Sequence, residues 1–340
     1  NCYALMKEFS CKPGEVDLYV PSLVDFNYWL GSADTDRSPL AAQLDAMEQV
    51  MRLMGGTVHC FVPFNPWAHI RNPNLFGVLT GAIERRGFIG FKLYPPMGFA
   101  PWGNQKLPEN ERPPIWSKQG PQFPRELDAA MMTLFTWCSN NDVPIMAHAN
   151  PSNGPDEPSE VMGSPKHWRW AYEQMASVGV KPPAISFGHF GGDNWNDTRR
   201  WGGEFAKLFL EQPRAYADLS YWEHMLDPPE SDGYGRAVES LKTTFGSNPE
   251  AKNRLLYGTD WSMLAIEDRW QDYFSAFGRV MASSAGSDPS ITPNIAGLNA
   301  SRYLGLLSSG SHNTRARLLE FYDRWGIPEP SWATKTKNFV

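Results

Sequence analysis

Two histidines, an aspartate and a lysine stand at or near the ends of short apolar runs in this chain. These are side chains that bind metals and move protons. Arg254-Leu-Leu-Tyr-Gly-Thr-Asp-Trp261 reads as a buried strand, closed by a glycine, that then presents Asp260. Val143-Pro-Ile-Met-Ala-His148 and Ala184-Ile-Ser-Phe-Gly-His189 each end an apolar run on a histidine, and Gly87-Phe-Ile-Gly-Phe-Lys92 ends on a lysine. Parallel α/β folds collect their chemistry at the carboxyl edge of the sheet. A lone histidine in such a place is commonly a core hydrogen-bonder. Two at successive strand ends, with an aspartate two strands on, are a better match to the imidazole and carboxylate ligands of a divalent metal of the zinc type. His148, His189 and Asp260 are therefore candidate ligands. A metal lowers the pKa of a bound water toward neutrality, and Asp260 is placed to take that proton. Lys92 has three readings: an ordinary ion pair, a carbamylated lysine that bridges two metals, or a point charge for an anionic substrate group.

The elements that must position these residues follow from periodicity. Strands are expected at 16–24, 57–64, 88–93, 143–148, 184–189, 215–220 and 255–259. Helices are expected between them: one opened by Ser38 as N-cap and Pro39 at N1, then 74–86, 124–140, 165–178, 203–212 and 233–245, with others near 267–284, 294–304 and 312–325. This alternation predicts a parallel sheet with crossover helices. The expectation is a (β/α)8 TIM barrel over 1–310, apparently lacking its first strand, and a C-terminal helix and tail over 311–340. The tail from 326 onward reads as loosely ordered. The Pro-, Gly- and Trp-rich stretch 94–124 reads as a lid or binding loop, and 149–164 and 191–203 as further long loops.

Composition narrows the function classes. The chain has 340 residues, 41% of them hydrophobic, enough for a sizeable core. Net charge is −6 without a basic block, which argues against nucleic acid and membrane surfaces as partners. No 18-residue apolar run is present. Cys2, Cys11, Cys60 and Cys138 have no CxxC spacing, so a reduced, cytoplasmic protein with a small-molecule substrate is expected. Apolar loops and the tail allow a homo-oligomer without requiring one. The first residues are not a signal peptide, and no initiator methionine is present.

The order Lys92, His148, His189, Asp260, in the contexts GFKLYPPMGF, VPIMAHAN, ISFGHFGG and LLYGTDW, resembles the metal-dependent amidohydrolase superfamily, in particular its decarboxylase-like branch. Asn299-Ala-Ser-Arg-Tyr-Leu-Gly305 looks like that branch's closing helix, and the resemblance covers roughly residues 20–306. It implies a barrel with a zinc or manganese centre at the strand ends. His148 would be a ligand, His189 a second ligand or catalytic group, and Asp260 ligand and general base. One departure is large: the family's first-strand His-x-His pair is absent, and no histidine precedes His59. The missing pair coincides with the missing strand and start methionine, so an N-terminally incomplete chain is expected.

The remaining candidates have plainer expectations. Asn27, Tyr28 and Trp29 follow the first strand, either lining a pocket or packing. His59 is expected in the core, His69 in a solvated loop, His167 and His312 on the surface. His224 is expected to face away from the site. Arg199 and Arg302 are expected in helix-surface ion pairs.

The leading function is metal-dependent hydrolysis of an amide, ester or lactone carbonyl, with Asp260 as general base. The alternative at the same centre is non-oxidative decarboxylation of an aromatic or enoic acid. A glycosidase using Glu223 and Asp260 would leave the histidines without a task. An inactive or truncated, non-catalytic barrel is the remaining reading.

Overall fold

The computed structural model describes residues 16–28, 39–151, 154–192, 201–286, 288–308 and 313–338. Its main elements, in chain order, are α1 Leu40–Leu53, β1 Phe61–Pro63, α2 Asn74–Arg85, β2 Gly90–Leu93, α3 Phe123–Asn141, β3 Ile145–His148 and α4 Pro165–Ser177. There follow β4 Ile185–Gly188, α5 Trp201–Glu211, β5 Ala215–Asp218, α6 Asp232–Ser247, β6 Leu255–Leu256, α7 Tyr273–Ser284 and α8 Asn313–Trp325. Strand order follows chain order from β1 to β6, and β1–β2, β2–β3 and β5–β6 pair in parallel. This is the expected α/β class, with six regular strands among the described residues, as in an incomplete (β/α)8 arrangement.

The chain forms two compact units: Leu18–Ile185 together with the residues from Leu304 onward, and Ser186–Tyr303. In the first unit, the expected strand at 16–24 is present only as an interrupted ladder. Tyr19 and Ser22 form isolated parallel bridges to Val58 and Phe61. Pro21 lies between them; its carbonyl accepts from Phe61 N–H, but it has no N–H to return. Register then runs Val62–Phe91–Ile145, all buried. Helix α3 covers this sheet with Leu127, Met131, Leu134, Phe135 and Cys138, an i, i+4, i+7 stripe that is fully buried. The Phe91 ring meets Trp137 of α3 edge-on at 5.8 Å.

The stretch 94–124 is not the open loop expected. It folds as four short 3-10 turns: Pro95–Met97, Asn104–Lys106, Glu109–Glu111 and Pro114–Lys118. Its apolar residues Phe99, Leu107 and Trp116 are buried, and Trp116 Nε1 donates to the Gly98 carbonyl at 2.9 Å. Buried Asp128 on α3 accepts from Asn104 N at 3.0 Å and Asn104 Nδ2 at 2.8 Å. The prolines and glycines shape a packed insertion rather than a free lid.

The tail is also better ordered than its sequence suggests. Trp332, on the short helix Ser331–Lys335, is buried and donates Nε1 to the Gly56 carbonyl at 3.1 Å. Arg315 of α8 reaches the Thr336 hydroxyl at 2.7 Å and the Ala333 carbonyl at 2.8 Å. His59 lies in the core as expected, between the Gly87 carbonyl and the Tyr322 hydroxyl of α8.

In the second unit, Ala217 pairs with Leu255 and Asp218 with Leu256. The Phe187 ring of β4 stacks on Phe205 of α5 at 4.5 Å, and Tyr257, just past β6, meets Phe277 of α7 at 5.0 Å. Buried Asn299 donates Nδ2 to the carbonyls of Lys252 (2.9 Å) and Leu255 (2.8 Å), so the 299–305 motif holds β6 in place. Arg302 donates to Asn299 Oδ1 at 3.1 Å, bracing the same clamp.

Candidate active site

The second unit carries the denser constellation. His189 is the first residue after β4; Asp260 follows β6 by four residues and caps the turn Trp261–Leu264. Both have left-handed backbones, with φ of 64° at His189 and 46° at Asp260. Tyr221, after β5, does the same at 52°. L-residues enter this region at a cost on the order of 1–2 kcal/mol, and such residues cluster where function demands a particular side-chain aim. The segments that follow β4, β5 and β6 thus each carry a polar residue with a left-handed backbone.

His189 is buried and its ring orientation is fixed. Nδ1 lies 3.0 Å from the Ser220 carbonyl and 3.1 Å from Ser220 Oγ. A carbonyl only accepts, so Nδ1 carries the proton and the lone pair resides on Nε2. The Ser220 hydroxyl donates in turn to Asp218 Oδ1 at 2.5 Å. That same oxygen accepts from His189 N at 3.0 Å and Ser220 N at 3.1 Å. Trp222 and Tyr273 brace the ends of β4 and β5: Trp222 Nε1 donates to the His189 carbonyl at 2.9 Å, and Tyr273 Oη donates to the Leu219 carbonyl at 2.7 Å while accepting from Trp222 N. Gly258 is required by close approach, since a Cβ there would lie 3.0 Å from Ser220 Cβ and 3.4 Å from Asp218 Oδ1. The turn that carries Asp260 therefore passes directly over the Asp218–Ser220 pair.

Asp260 is half-buried, and Ser262 Oγ lies 3.5 Å from its Oδ1. Tyr221 donates its hydroxyl to Glu267 at 2.7 Å. Burial, that bond and the neighbouring acids Glu267 and Glu223 push the Tyr221 phenol above its ordinary value, so it remains a protonated donor.

In the first unit, His148 ends β3 and is buried. Its Nε2 donates to the Asn150 carbonyl at 2.8 Å, which leaves the lone pair on Nδ1. The Tyr94 ring packs on His148 at 4.8 Å and the Phe26 ring meets Tyr94 edge-on at 5.9 Å. Lys92 is the third residue of β2, half-buried and in register with Pro63 and Met146.

Other expectations need correction. His167 is not on the surface: it is buried on α4, its Nδ1 3.0 Å from the Met162 carbonyl, and burial lowers its pKa to about 4. His69 is not in a solvated loop but in the last turn of the helix Pro66–Arg71, between Phe64 at 5.7 Å and Phe76 at 5.6 Å, and burial lowers its pKa. His224 is half-buried, 3.8 Å from the Glu223 carboxylate. Asn27 gives its carbonyl to Asn65 Nδ2 at 2.8 Å, and Tyr28 packs its ring under Arg71. Trp29, Arg199 and His312 lie outside the described residues.

The donor chemistry suits a divalent metal. His189 is oriented through its second nitrogen, as ligating histidines are. The grouping does not match a finished shell: among the described residues, no three of His, Cys, Asp or Glu are gathered so as to hold a metal ion.

Asp218, Ser220 and Trp222 were missed as site residues. The available signal was the acid inside the apolar run Ala215-Tyr-Ala-Asp-Leu-Ser220, since an unpaired carboxylate in a buried strand demands partners.

No family model matches the sequence, and no curated protein matches it. Solved structures of similar architecture include an uncharacterised TIM-barrel protein from Bordetella bronchiseptica, at 15% identity over 77% of this chain and 72% of that one, with a TM-score of 0.46. A 5-carboxyvanillate decarboxylase from Sphingomonas paucimobilis is similar at 12% identity, over 89% of this chain and 82% of that one, with a TM-score of 0.46. An amidohydrolase from Burkholderia multivorans with bound zinc is similar at 13% identity, over 85% of this chain and 99% of that one, with a TM-score of 0.42. Each similarity is one of chain path, and transfers neither substrate nor metal to this protein.

Proposed function

We propose that this chain is an enzyme of the amidohydrolase kind, hydrolysing an amide, ester or lactone carbonyl of a small molecule. The observation that carries the reading is the pair His189 and Asp260, one imidazole and one carboxylate, each held in a left-handed backbone just past a strand end of the same unit. Asp260, half-buried at its turn, is the general base that takes a proton from the attacking water. His189, with its proton on Nδ1, offers the Nε2 lone pair to the reacting centre. A divalent metal, zinc or manganese, is part of the proposal. Its proposed donors within this unit are His189 and Asp260, and when bound it would supply Lewis acidity.

The test is elemental analysis of the purified chain after dialysis against a weak chelator, followed by assay with zinc or manganese against small lactones, aryl esters and amides. Zinc or manganese near one equivalent, with turnover of one substrate class, supports the reading. Turnover that survives complete metal removal overturns the metal-dependent part. No turnover of any of the three classes by metal-loaded, folded protein overturns hydrolysis and moves the search to carboxylated aromatic acids.

A further inference from the structure

The segment that carries Asp260 runs on from β6 to Glu267, and its own hydrogen bonds close on themselves. The Asp260 carbonyl accepts from Met263 N at 2.9 Å and from Leu264 N at 3.0 Å. Ala265 N donates to the Trp261 carbonyl, Ile266 N to that of Met263 and Glu267 N to that of Leu264. All of these bonds lie inside 260–267, so they fix the shape of the segment and not its orientation. Orientation depends on what it touches outside itself. Leu264 is buried, but Met263 at 44% and Ile266 at 72% exposure pack little. At the far end, the Glu267 carboxylate accepts from the Tyr221 hydroxyl at 2.7 Å. Tyr221 belongs to another strand end, just past β5. Its φ of 52° is one that a bulky L-residue disfavours and a glycine adopts freely. What a tyrosine adds to that turn is the phenol, aimed at the segment after β6. Glu223 also lies near this phenol, but it stands on the β5 side and cannot join the two.

We propose that Tyr221 is a positioning residue: its bond to Glu267 latches the far end of the Asp260 turn to the end of β5 and so fixes the aim of the Asp260 carboxylate. The catalytic meaning of the latch rests on the general-base role given to Asp260; the latch itself is independent of any substrate. Without it, the turn is attached through β6 and through the buried Leu264 side chain. Two attachments leave a rotation about the line that joins them, and a third removes it. A hydrogen bond that ends on a carboxylate is among the stronger kinds, and this one acts at the end of the segment farthest from β6.

The experiment is hydrogen exchange of the full chain, read by mass spectrometry on peptides that cover 258–268, with peptides from α6 as the control. Tyr221→Phe should raise exchange at the Met263 and Leu264 amides about tenfold, as loss of one hydrogen bond to a charged group implies, and leave α6 unchanged. Glu267→Ala should do the same. Glu267→Gln, whose side-chain carbonyl still accepts from the phenol, should keep most of the protection. A folded Tyr221→Phe protein with wild-type exchange overturns the latch. So does a Glu267→Gln protein as loose as Glu267→Ala, because charge rather than the bond would then hold the segment. Initial rates with zinc present, on whichever of phenyl acetate, γ-butyrolactone and acetanilide the wild type turns over, test the positioning role. Tyr221→Phe should lower kcat about 10- to 100-fold at nearly constant KM, with Glu267→Gln near wild type. A loosened segment with unchanged kcat overturns that role. Absence of turnover by the wild type overturns the role together with the hydrolytic reading, and the exchange result alone still decides the latch.

Discussion

His59 Nε2 lies 2.5 Å from the Tyr322 hydroxyl, deep in the first unit, and its Nδ1 lies 2.6 Å from the Gly87 carbonyl. The carbonyl fixes the proton on Nδ1, so Tyr322 donates to Nε2 and ties α8 to the chain entering β1. Protonating Nε2 would place a positive charge in a fully buried position, which burial opposes.

Stability should therefore fall in mild acid. Burial lowers the His59 pKa from 6.5 to about 4. A histidine whose folded pKa lies below its unfolded one contributes stability that is fully present above the unfolded value. It is lost as pH falls from about 6.5 through about 4. The loss at this one site is on the order of 3 kcal/mol. Tyr322→Phe removes the donor and leaves Nε2 buried without a partner, at about 1–3 kcal/mol. Urea unfolding at neutral pH and at pH about 4.5 measures both effects; a His59→Leu protein that kept the whole acid-dependent loss would show that another group carries it.

The tail is a structural part of the first unit. Trp332 fills a buried site beside Tyr322, and Arg315 links α8 to Thr336 and Ala333. Trp332→Ala should cost about 3–5 kcal/mol. Ending the chain before Ile327 should cost at least as much. A denaturation midpoint unchanged by that truncation would mean the packing contributes nothing in solution.

What the sequence made legible and what it hid divide along physical lines. His189 and Asp260 were visible because a short apolar run followed by a polar residue marks a strand end by local pattern alone. His59 was rightly placed in the core for the same reason. His167 was misjudged although its own helix carried the signal: His167, Trp168, Ala171, Tyr172 and Met175 share one buried face at helical spacing. Asp218 was legible as an acid inside an apolar run, and Ser220 beside it supplies two of its donors. Its third donor, His189, lies 29 residues away and was not visible from local pattern. Trp332 could not be placed from its neighbours, because what buries it is Gly56 and Tyr322, contacts set by tertiary packing.

Gly258 offers a test of how closely the Asp260 turn must approach the end of β5. A Cβ at 258 would meet Ser220 Cβ at 3.0 Å, tighter than ordinary contact, with Asp218 directly behind. Neither neighbour has room to yield, since Ser220 and Asp218 are buried and bonded to each other. Gly258→Ala should destabilise the protein by about 1–3 kcal/mol. It should also reduce turnover more than Gly246→Ala, where nothing lies within 4 Å. Equal effects of the two substitutions would remove the argument for close approach.

The role given to Asp260 rests on its carboxylate rather than on its backbone, and the two can be separated. Asp260→Asn keeps the size, tolerates the left-handed φ of 46° and keeps an oxygen facing Ser262, so the fold should survive. It cannot accept a proton near neutral pH. Losing a general base lowers turnover by about 100- to 10,000-fold. The measurement is kcat on whichever substrate class the chain turns over, with circular dichroism and urea unfolding as controls for folding. Asp260→Ala adds a second comparison: it removes the carboxylate as Asn does, and it also loses the side chain's tolerance of the left-handed backbone. Its kcat should match that of the Asn variant while its stability falls by about 1 kcal/mol further. An Asp260→Asn protein with full activity would show that the proton goes elsewhere, and would move the general base to another group of the same unit.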